Sequence, residues 1–123
     1  MERDYHQRTF TCPIIHLIVL RDDVHQRYPW AAANLYKAFL ESKDRSIERA
    51  LDANAPRTPV PWAPAWAAQA DRLFGHDFWP YGLEPNYVTL DAFLGYAQEQ
   101  ALCQRRLSPE ELFAPTTLAS FRI

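Results

Sequence analysis

The segment from Pro13 to Leu20 (PIIHLIVL) is the most apolar run in the chain, and His16 is its only polar side chain. The run is short and rich in β-branched residues, which is typical of a strand that is buried on both faces. Pro13 cannot donate a backbone hydrogen bond, so strand pairing begins after it or at the edge of a sheet. The pattern therefore predicts one strand over about residues 14–20.

Every other regular pattern in the chain is helical. Apolar side chains recur at the 3.6-residue period, and they predict helices over about residues 30–51, 64–74, 87–104 and 109–114. The clearest amphipathic face is in the third of these helices and consists of Leu90, Phe93, Leu94, Ala97 and Ala101. Gly75 supplies a C-terminal cap, and Ser108 with Glu111 forms a capping box that opens the last helix.

A single buried strand constrains the fold, because its backbone N–H and C=O groups need hydrogen-bond partners. The sequence predicts no second strand in this 123-residue chain. We therefore expect residues 1–123 to be one C-terminal fragment of a larger folding unit. The partner strand then comes either from a missing N-terminal lobe of the same protein or from a second copy of this chain.

Charge and cysteine content exclude several classes of function. The chain has 13 Lys and Arg against 15 Asp and Glu, so it lacks the basic surface that a nucleic-acid partner needs. Its longest apolar run is too short to cross a bilayer, so we expect no membrane partner. Cys12 and Cys103 are isolated, and we interpret them as free thiols in a reducing cytoplasm, with a disulfide between them as the alternative.

The segment Phe78–Asn86 (FWPYGLEPN) is the most unusual stretch of the sequence. Its two prolines and one glycine restrict the backbone, while Trp79 and Tyr81 offer flat faces and Glu84 and Asn86 offer polar ends. A rigid loop of this kind can line a pocket for an aromatic ligand or pack against another lobe. The alternative is that the prolines only shape a loop whose aromatic side chains fill the core.

The four histidines do not form a metal motif, because His6, His25 and His76 have no partner at ligand spacing. We therefore expect no metal site and no organic cofactor. His16 lies in the middle of the predicted strand. Its imidazole can protonate a carbanion or bind a carboxylate, or it can be a hydrogen-bonded structural residue.

The order of motifs along the chain is specific. PIIH is followed by LRDDV, YPW, LYKAF, LFG, DFWPYGLEPN, TLDAFLGYAQEQAL and RRLSPEELFAP. This order resembles the C-terminal stretch of the 4,5-dihydroxyphthalate decarboxylase family, and the resemblance extends from about Tyr5 to Leu118. WPYGLEPN together with LSPEELF is its most specific part.

The resemblance implies a two-lobed α/β fold like that of type 2 periplasmic binding proteins, with a ligand cleft between the lobes. The fold class expected for this chain is therefore mostly α with one apolar strand, as the C-terminal part of such a fold. The resemblance also implies decarboxylation of a hydroxylated phthalate in aromatic catabolism, which makes a small aromatic carboxylate the expected ligand of the full-length parent. An arginine is expected after EPN, where this chain has Tyr87.

The same resemblance implies positions for the candidate site residues. It places His16 near the cleft as the candidate catalytic acid, and Trp79, Tyr81, Glu84 and Asn86 near it as candidate substrate-binding residues. Half a cleft cannot position a substrate from both sides, so we expect this chain alone to be inactive. Two alternatives stay open: a solute-binding protein of the same fold that does not react with its ligand, and a truncated remnant that only dimerises.

Overall fold

A computed structural model of the chain describes residues 2–55 and 59–118. The described residues form five α-helices and two short 3₁₀ helices. In chain order they are α1 (Glu2–Thr9), α2 (Asp22–Arg27), α3 (Ala31–Leu51), α4 (Ala63–Phe74), α5 (Leu83–Glu99), and the 3₁₀ helices Pro109–Leu112 and Pro115–Thr117. These parts of the chain contain no strand, so the prediction of an α/β fold is wrong for them.

The strand predicted over residues 14–20 is the specific error. Residues 10–21 have no regular secondary structure, and Ile15 and Val19 expose 74% and 88% of their surface. β-Branched residues favour a strand only where neighbouring strands bury them and pair with their backbone. No described segment of the chain supplies that pairing. The β-branched composition was therefore insufficient to form a strand.

The chain divides into two compact units, one formed by Met1–Ala33 with Tyr81–Ile123 and the other by Asn34–Pro80. In the first unit α5 carries most of the core, since Leu83, Leu90 and Leu94 expose 8% or less of their surface. Pro109 of the first 3₁₀ helix is fully buried. This small apolar core fixes α5 as the scaffold on which the unit's polar side chains are placed.

Helix α5 differs from its predicted span of 87–104 at both ends. It begins at Leu83, because a proline such as Pro85 is compatible with the first turn of a helix. It ends at Glu99, because Ala101 adopts a left-handed conformation with φ 57° and the Leu102 N–H returns to the Ala97 carbonyl at 2.8 Å. That pattern is a common helix C-terminal motif. Because α5 ends earlier than predicted, the residues that follow it turn back along the helix.

The second unit contains most of α3 and all of α4, and both helices lie within one residue of their predicted spans. Ile47 and Lys43 are its buried side chains on α3. The Lys43 Nζ lies 2.7 Å from Asp77 Oδ2 and 2.8 Å from Asp44 Oδ1. The ion pair between Lys43 and Asp77 connects the loop after α4 to α3. None of the described helices is both long enough and apolar enough to span a bilayer.

Candidate functional site

A cleft of about 290 Å³ lies on the surface of the first unit, between α5 and the chain segment that returns along it. The cleft combines an aromatic ring, a guanidinium group, a hydroxyl group and two carboxylates. Its lining residues are Tyr87, Asp91, Arg106, Leu107, Ser108, Pro109 and Glu111. Tyr87 and Asp91 are four residues apart on α5 and therefore share one face of the helix. The cleft is the candidate site because it places groups of complementary chemistry side by side.

Arg106 is held against α5 by a short ion pair. Its Nη2 lies 2.6 Å from Asp91 Oδ1 and 3.4 Å from the Asp91 carbonyl oxygen. A Cβ atom at Gly95 would approach Arg106 Nη1 to 3.2 Å, so the absence of a side chain there makes room for the guanidinium. The hydrogen bond with the Asp91 carboxylate raises the pKa of Arg106. The arginine is therefore a fixed cation on one wall of the cleft.

A second ion pair joins Glu111, which also lines the cleft, to Arg105. Arg105 Nη2 and Nη1 donate to Glu111 Oε1 and Oε2 at 2.6 and 3.1 Å, and the backbone N–H of Ser108 donates to Oε2 at 2.8 Å. The Ser108 bond is half of the capping box that the sequence predicts, although it opens a 3₁₀ helix over Pro109–Leu112. The hydrogen bonds from Arg105 and Ser108 lower the pKa of Glu111 to about 2.

Glu111→Gln is expected to weaken the dependence of stability on pH in acid. The pKa of Glu111 is lowered from 4.5 to about 2 on folding, so its contribution is complete above pH 4.5 and is lost as the pH falls towards 2. Urea unfolding of the wild type and the variant between pH 3 and pH 6 measures this. The difference between them should shrink as the pH falls. A constant difference across that range contradicts the proposed ionisation.

The charges in this region balance, because two guanidinium groups face two carboxylates. Arg106 can donate to a ligand carboxylate, since a guanidinium has five N–H donors, while Asp91 can accept from a ligand hydroxyl. Tyr87 is 40% exposed and supplies a flat apolar face.

Three of the residues singled out in the sequence lie at the start of α5. Glu84 is exposed in the first turn, one turn before Tyr87, and Tyr81 is half-buried just ahead of the helix. The Asn86 Nδ2 donates to the Gly82 carbonyl at 2.9 Å, so this side chain helps to hold the beginning of the helix. Glu84 and Asn86 belong to the helix that carries the cleft and Tyr81 precedes it, but the cleft lining includes none of the three.

Neither Trp79 nor His16 is among the residues that line the cleft. Trp79 belongs to the second unit, where it is 58% exposed and its backbone N–H donates to Asp77 Oδ1 at 3.2 Å. His16 is exposed in the irregular segment of the first unit and makes no hydrogen bond with another described residue. That segment is attached to α5 through Cys12, whose N–H donates to Thr89 Oγ1 at 3.2 Å. The structure therefore does not join His16 to the other candidate residues.

Sequence reasoning missed Asp91 and Arg106, which form the centre of the cleft. Gly95 could have indicated this contact from the sequence. A glycine inside a helix lowers helix stability by about 1 kcal/mol relative to alanine, and it often marks a position where another group approaches the helix closely. Within the described residues, no three His, Cys, Asp or Glu side chains are arranged to hold a metal ion.

Comparison with known proteins shows a clear similarity to a decarboxylase. No protein-family model matches the chain. The chain is 36% identical over 120 residues to 4,5-dihydroxyphthalate decarboxylase of Comamonas testosteroni. The matched region covers 98% of this chain and 36% of that protein, so the chain spans little more than a third of its relative's length. This similarity confirms the resemblance inferred from the order of the motifs.

Proposed function

Because the chain is related in sequence to 4,5-dihydroxyphthalate decarboxylase, we propose that it supplies part of an enzyme that removes carbon dioxide from a hydroxylated phthalate. The observation that carries the proposal is 36% identity over 98% of the chain. The chain spans 36% of the relative's length, so the proposal includes that these 123 residues alone have no turnover. Both cysteines are free, which supports a reducing compartment such as the cytoplasm.

The reaction requires an acid and a held carboxylate. A ring hydroxyl ortho or para to the leaving group donates electrons, and the acid protonates the ring carbon that bears the carboxylate. The bond from that carbon to the carboxylate then breaks, its electron pair restores the aromatic ring, and carbon dioxide leaves. Each turnover consumes one proton, which the acid recovers from water. Positioned side chains suffice for these steps.

We assign the acid to His16 and the substrate contacts to Trp79, Tyr81, Glu84 and Asn86. Histidine is suited to the role because its ordinary pKa lies near neutral pH. The supporting argument for all five is the match of their motifs to the decarboxylase family. The reactive arrangement depends on the completed enzyme.

The cleft on α5 adds a candidate holder for a substrate carboxylate. Position 87 has a tyrosine where the family resemblance implies an arginine, and Arg106 lines the same cleft as Tyr87. Arg106 can supply the positive charge that position 87 lacks. A single benzene ring with its substituents suits the cleft volume of about 290 Å³, which is near the lower end of typical ligand pockets.

A chimeric enzyme tests the proposal. The 120 matched residues of the Comamonas testosteroni decarboxylase are replaced by the corresponding residues of this chain, and carbon dioxide release from 4,5-dihydroxyphthalate is measured. We expect turnover by the chimera. The unmodified relative serves as the positive control. A folded chimera that releases no carbon dioxide would count against the proposal.

His16→Ala in this chimera is expected to lower turnover at least about tenfold, because general acid catalysis contributes that much or more. His76→Ala is the matched control, since the His76 side chain is 93% exposed and lies outside both candidate sets. The measurement is kcat for each variant over the neutral pH range. Equal kcat for His16→Ala and the unsubstituted chimera removes His16 from the mechanism.

The second candidate is a solute-binding protein that holds an aromatic carboxylate without reacting. The observation that favours it is the position of His16, which makes no hydrogen bond with any other candidate residue in the described chain. Isothermal titration of 4,5-dihydroxyphthalate into the chimera separates the two functions. Saturable binding without carbon dioxide release favours the binding protein, and turnover favours the decarboxylase.

A further inference from the structure

The carboxylate of Asp77 connects the loop of residues 75–80 to α3. Its Oδ2 lies 2.7 Å from the Lys43 Nζ, and its Oδ1 accepts the backbone N–H of Trp79 at 3.2 Å. All three residues belong to the second unit. One side chain therefore links the backbone at residue 79 directly to a charged group on α3.

Lys43 is a fixed point for this connection. Only 6% of its side chain is exposed, so packing restricts the ammonium to few positions. Asp44 Oδ1 lies 2.8 Å from the same ammonium, but Asp44 belongs to α3 itself, so that contact does not involve the loop. The ion pair with Asp77, in contrast, acts on residues 75–80.

The backbone of Trp79 is restricted from both sides, although its side chain is not. The side chain is 58% exposed, so core packing alone does not fix its direction. Pro80 follows it and disfavours the helical conformation at residue 79, while Asp77 accepts its N–H from two residues before. These two restrictions set the direction in which the indole leaves the loop.

We propose that Lys43 and Asp77 are positioning residues, which hold Trp79 ready for the aromatic ring of the substrate. The inference rests on the proposed function, which makes Trp79 a substrate contact, and it extends that function to two residues that do not touch the substrate. An aromatic side chain that is already oriented loses less conformational entropy on binding than a freely moving one. Lys43 and Asp77 therefore contribute to substrate binding through Trp79.

Amide hydrogen exchange of the 123-residue chain, followed by nuclear magnetic resonance, measures the positioning without any substrate. Asp77→Ala removes the acceptor of the Trp79 N–H, and we expect this amide to exchange at least about fivefold faster, as for the loss of a hydrogen bond to a charged group. Lys43→Met keeps an aliphatic stem and removes the ammonium, so it frees the Asp77 carboxylate and should also speed the exchange. Asp44→Asn is the matched control, because it changes the other carboxylate at Lys43 and should leave Trp79 exchange unchanged.

These substitutions should leave the helices intact. Asp77 is 47% exposed, and Asp44 still pairs with the Lys43 ammonium after Asp77→Ala. Far-UV circular dichroism checks the helix content of each variant. A change in Trp79 exchange at unchanged helix content therefore reports on the loop.

A double-mutant cycle in the chimera measures the consequence for the substrate. Asp77→Ala should raise KM for 4,5-dihydroxyphthalate about threefold to tenfold, the cost of ordering one more side chain on binding, and leave kcat nearly unchanged. Asp77→Ala added to Trp79→Ala should raise KM no further, since its effect passes through Trp79. A purely structural role for Asp77 would add its full effect to that of Trp79→Ala.

Two results would overturn the inference. Equal exchange of the Trp79 amide in Asp77→Ala and the wild type shows that the carboxylate does not hold the loop. Additive effects of Asp77→Ala and Trp79→Ala on KM, or no effect of Asp77→Ala, show that Asp77 does not act through Trp79. An unsubstituted chimera without turnover contradicts the proposed function instead, and Trp79 exchange in the chain then decides the positioning by itself.

Discussion

Leu94→Ala is expected to lower the free energy of unfolding by about 2–5 kcal/mol, the largest effect that we predict for a single substitution. Leu94 exposes only 3% of its surface, and it shares the core of the first unit with Leu83 and Leu90. Truncation removes buried methyl groups and leaves a cavity that this small core cannot refill. Urea denaturation followed by far-UV circular dichroism measures the change.

Phe93→Ala is the matched control for Leu94→Ala. Phe93 is the adjacent residue on α5 and has the larger side chain, but it is 60% exposed. We expect its truncation to cost less than about 1 kcal/mol, as is usual for surface substitutions. If both truncations had the same effect, the buried face of α5 would not be the one that contains Leu90 and Leu94.

Lys43→Ala is expected to have the second largest effect, a loss of about 1–3 kcal/mol. Only 6% of the Lys43 side chain is exposed, and its ammonium contacts both Asp44 and Asp77. The substitution removes these hydrogen bonds and the packing of the aliphatic stem. Asp44 and Asp77 are 57% and 47% exposed, so they remain solvated, and the loss stays below that of an orphaned buried charge.

The effect of Lys43→Ala should also depend on pH in the alkaline range. Burial alone would lower the pKa of Lys43, but hydrogen bonds with Asp44 and Asp77 outweigh burial and raise it. A raised pKa stabilises the fold fully below the ordinary value of 10.5, and this stabilisation is lost as the pH rises through the folded value. Unfolding experiments from neutral to alkaline pH should show a shrinking difference from the wild type.

Lys37→Ala is the control for this pair of predictions, because Lys37 is exposed on the same helix. It should change the stability by no more than about 0.5 kcal/mol. Equal losses for Lys37→Ala and Lys43→Ala would mean that the ion pair with Asp77 does not stabilise the loop.

The sequence was sufficient to predict helices α3 and α4, because their apolar periodicity and flanking residues agree. Pro64 in the first turn of α4 and Gly75 after its end delimit the helix from both sides. Helix α2 was missed, although Asp22 and Asp23 in its first turn and His25 and Arg27 in its last complement the helix dipole. Six residues are too few for a periodic apolar pattern to be recognised.

The strand was the main failure, and its cause is that strand formation is not local. Residues 14–20 have the composition of a buried strand, but a strand needs a partner backbone that composition cannot supply. Phe93 shows the same limit for packing. It falls on the apolar period of α5 with Leu90 and Leu94 but is largely exposed. Periodicity identifies a helical face without determining how much of that face is covered.

The candidate site could be predicted only in part. The composition of Phe78–Asn86 marks the region around the start of α5, where Tyr81 precedes the helix and Glu84 and Asn86 lie within its first four residues. The cleft beside them depends on the turn after Glu99, which brings Arg106 back to Asp91 across fifteen residues. Neither the left-handed conformation of Ala101 after the helix nor the space above Gly95 follows from periodicity. Contacts of this kind are formed by the tertiary path of the chain.

The central claim is that this chain supplies a working part of a hydroxyphthalate decarboxylase and cannot turn over substrate alone. Carbon dioxide release from 4,5-dihydroxyphthalate, measured side by side for the 123-residue chain and for the chimera with the Comamonas testosteroni relative, tests it most directly. We predict release by the chimera and none by the isolated chain. A folded but inactive chimera, or turnover by the isolated chain, would contradict the account.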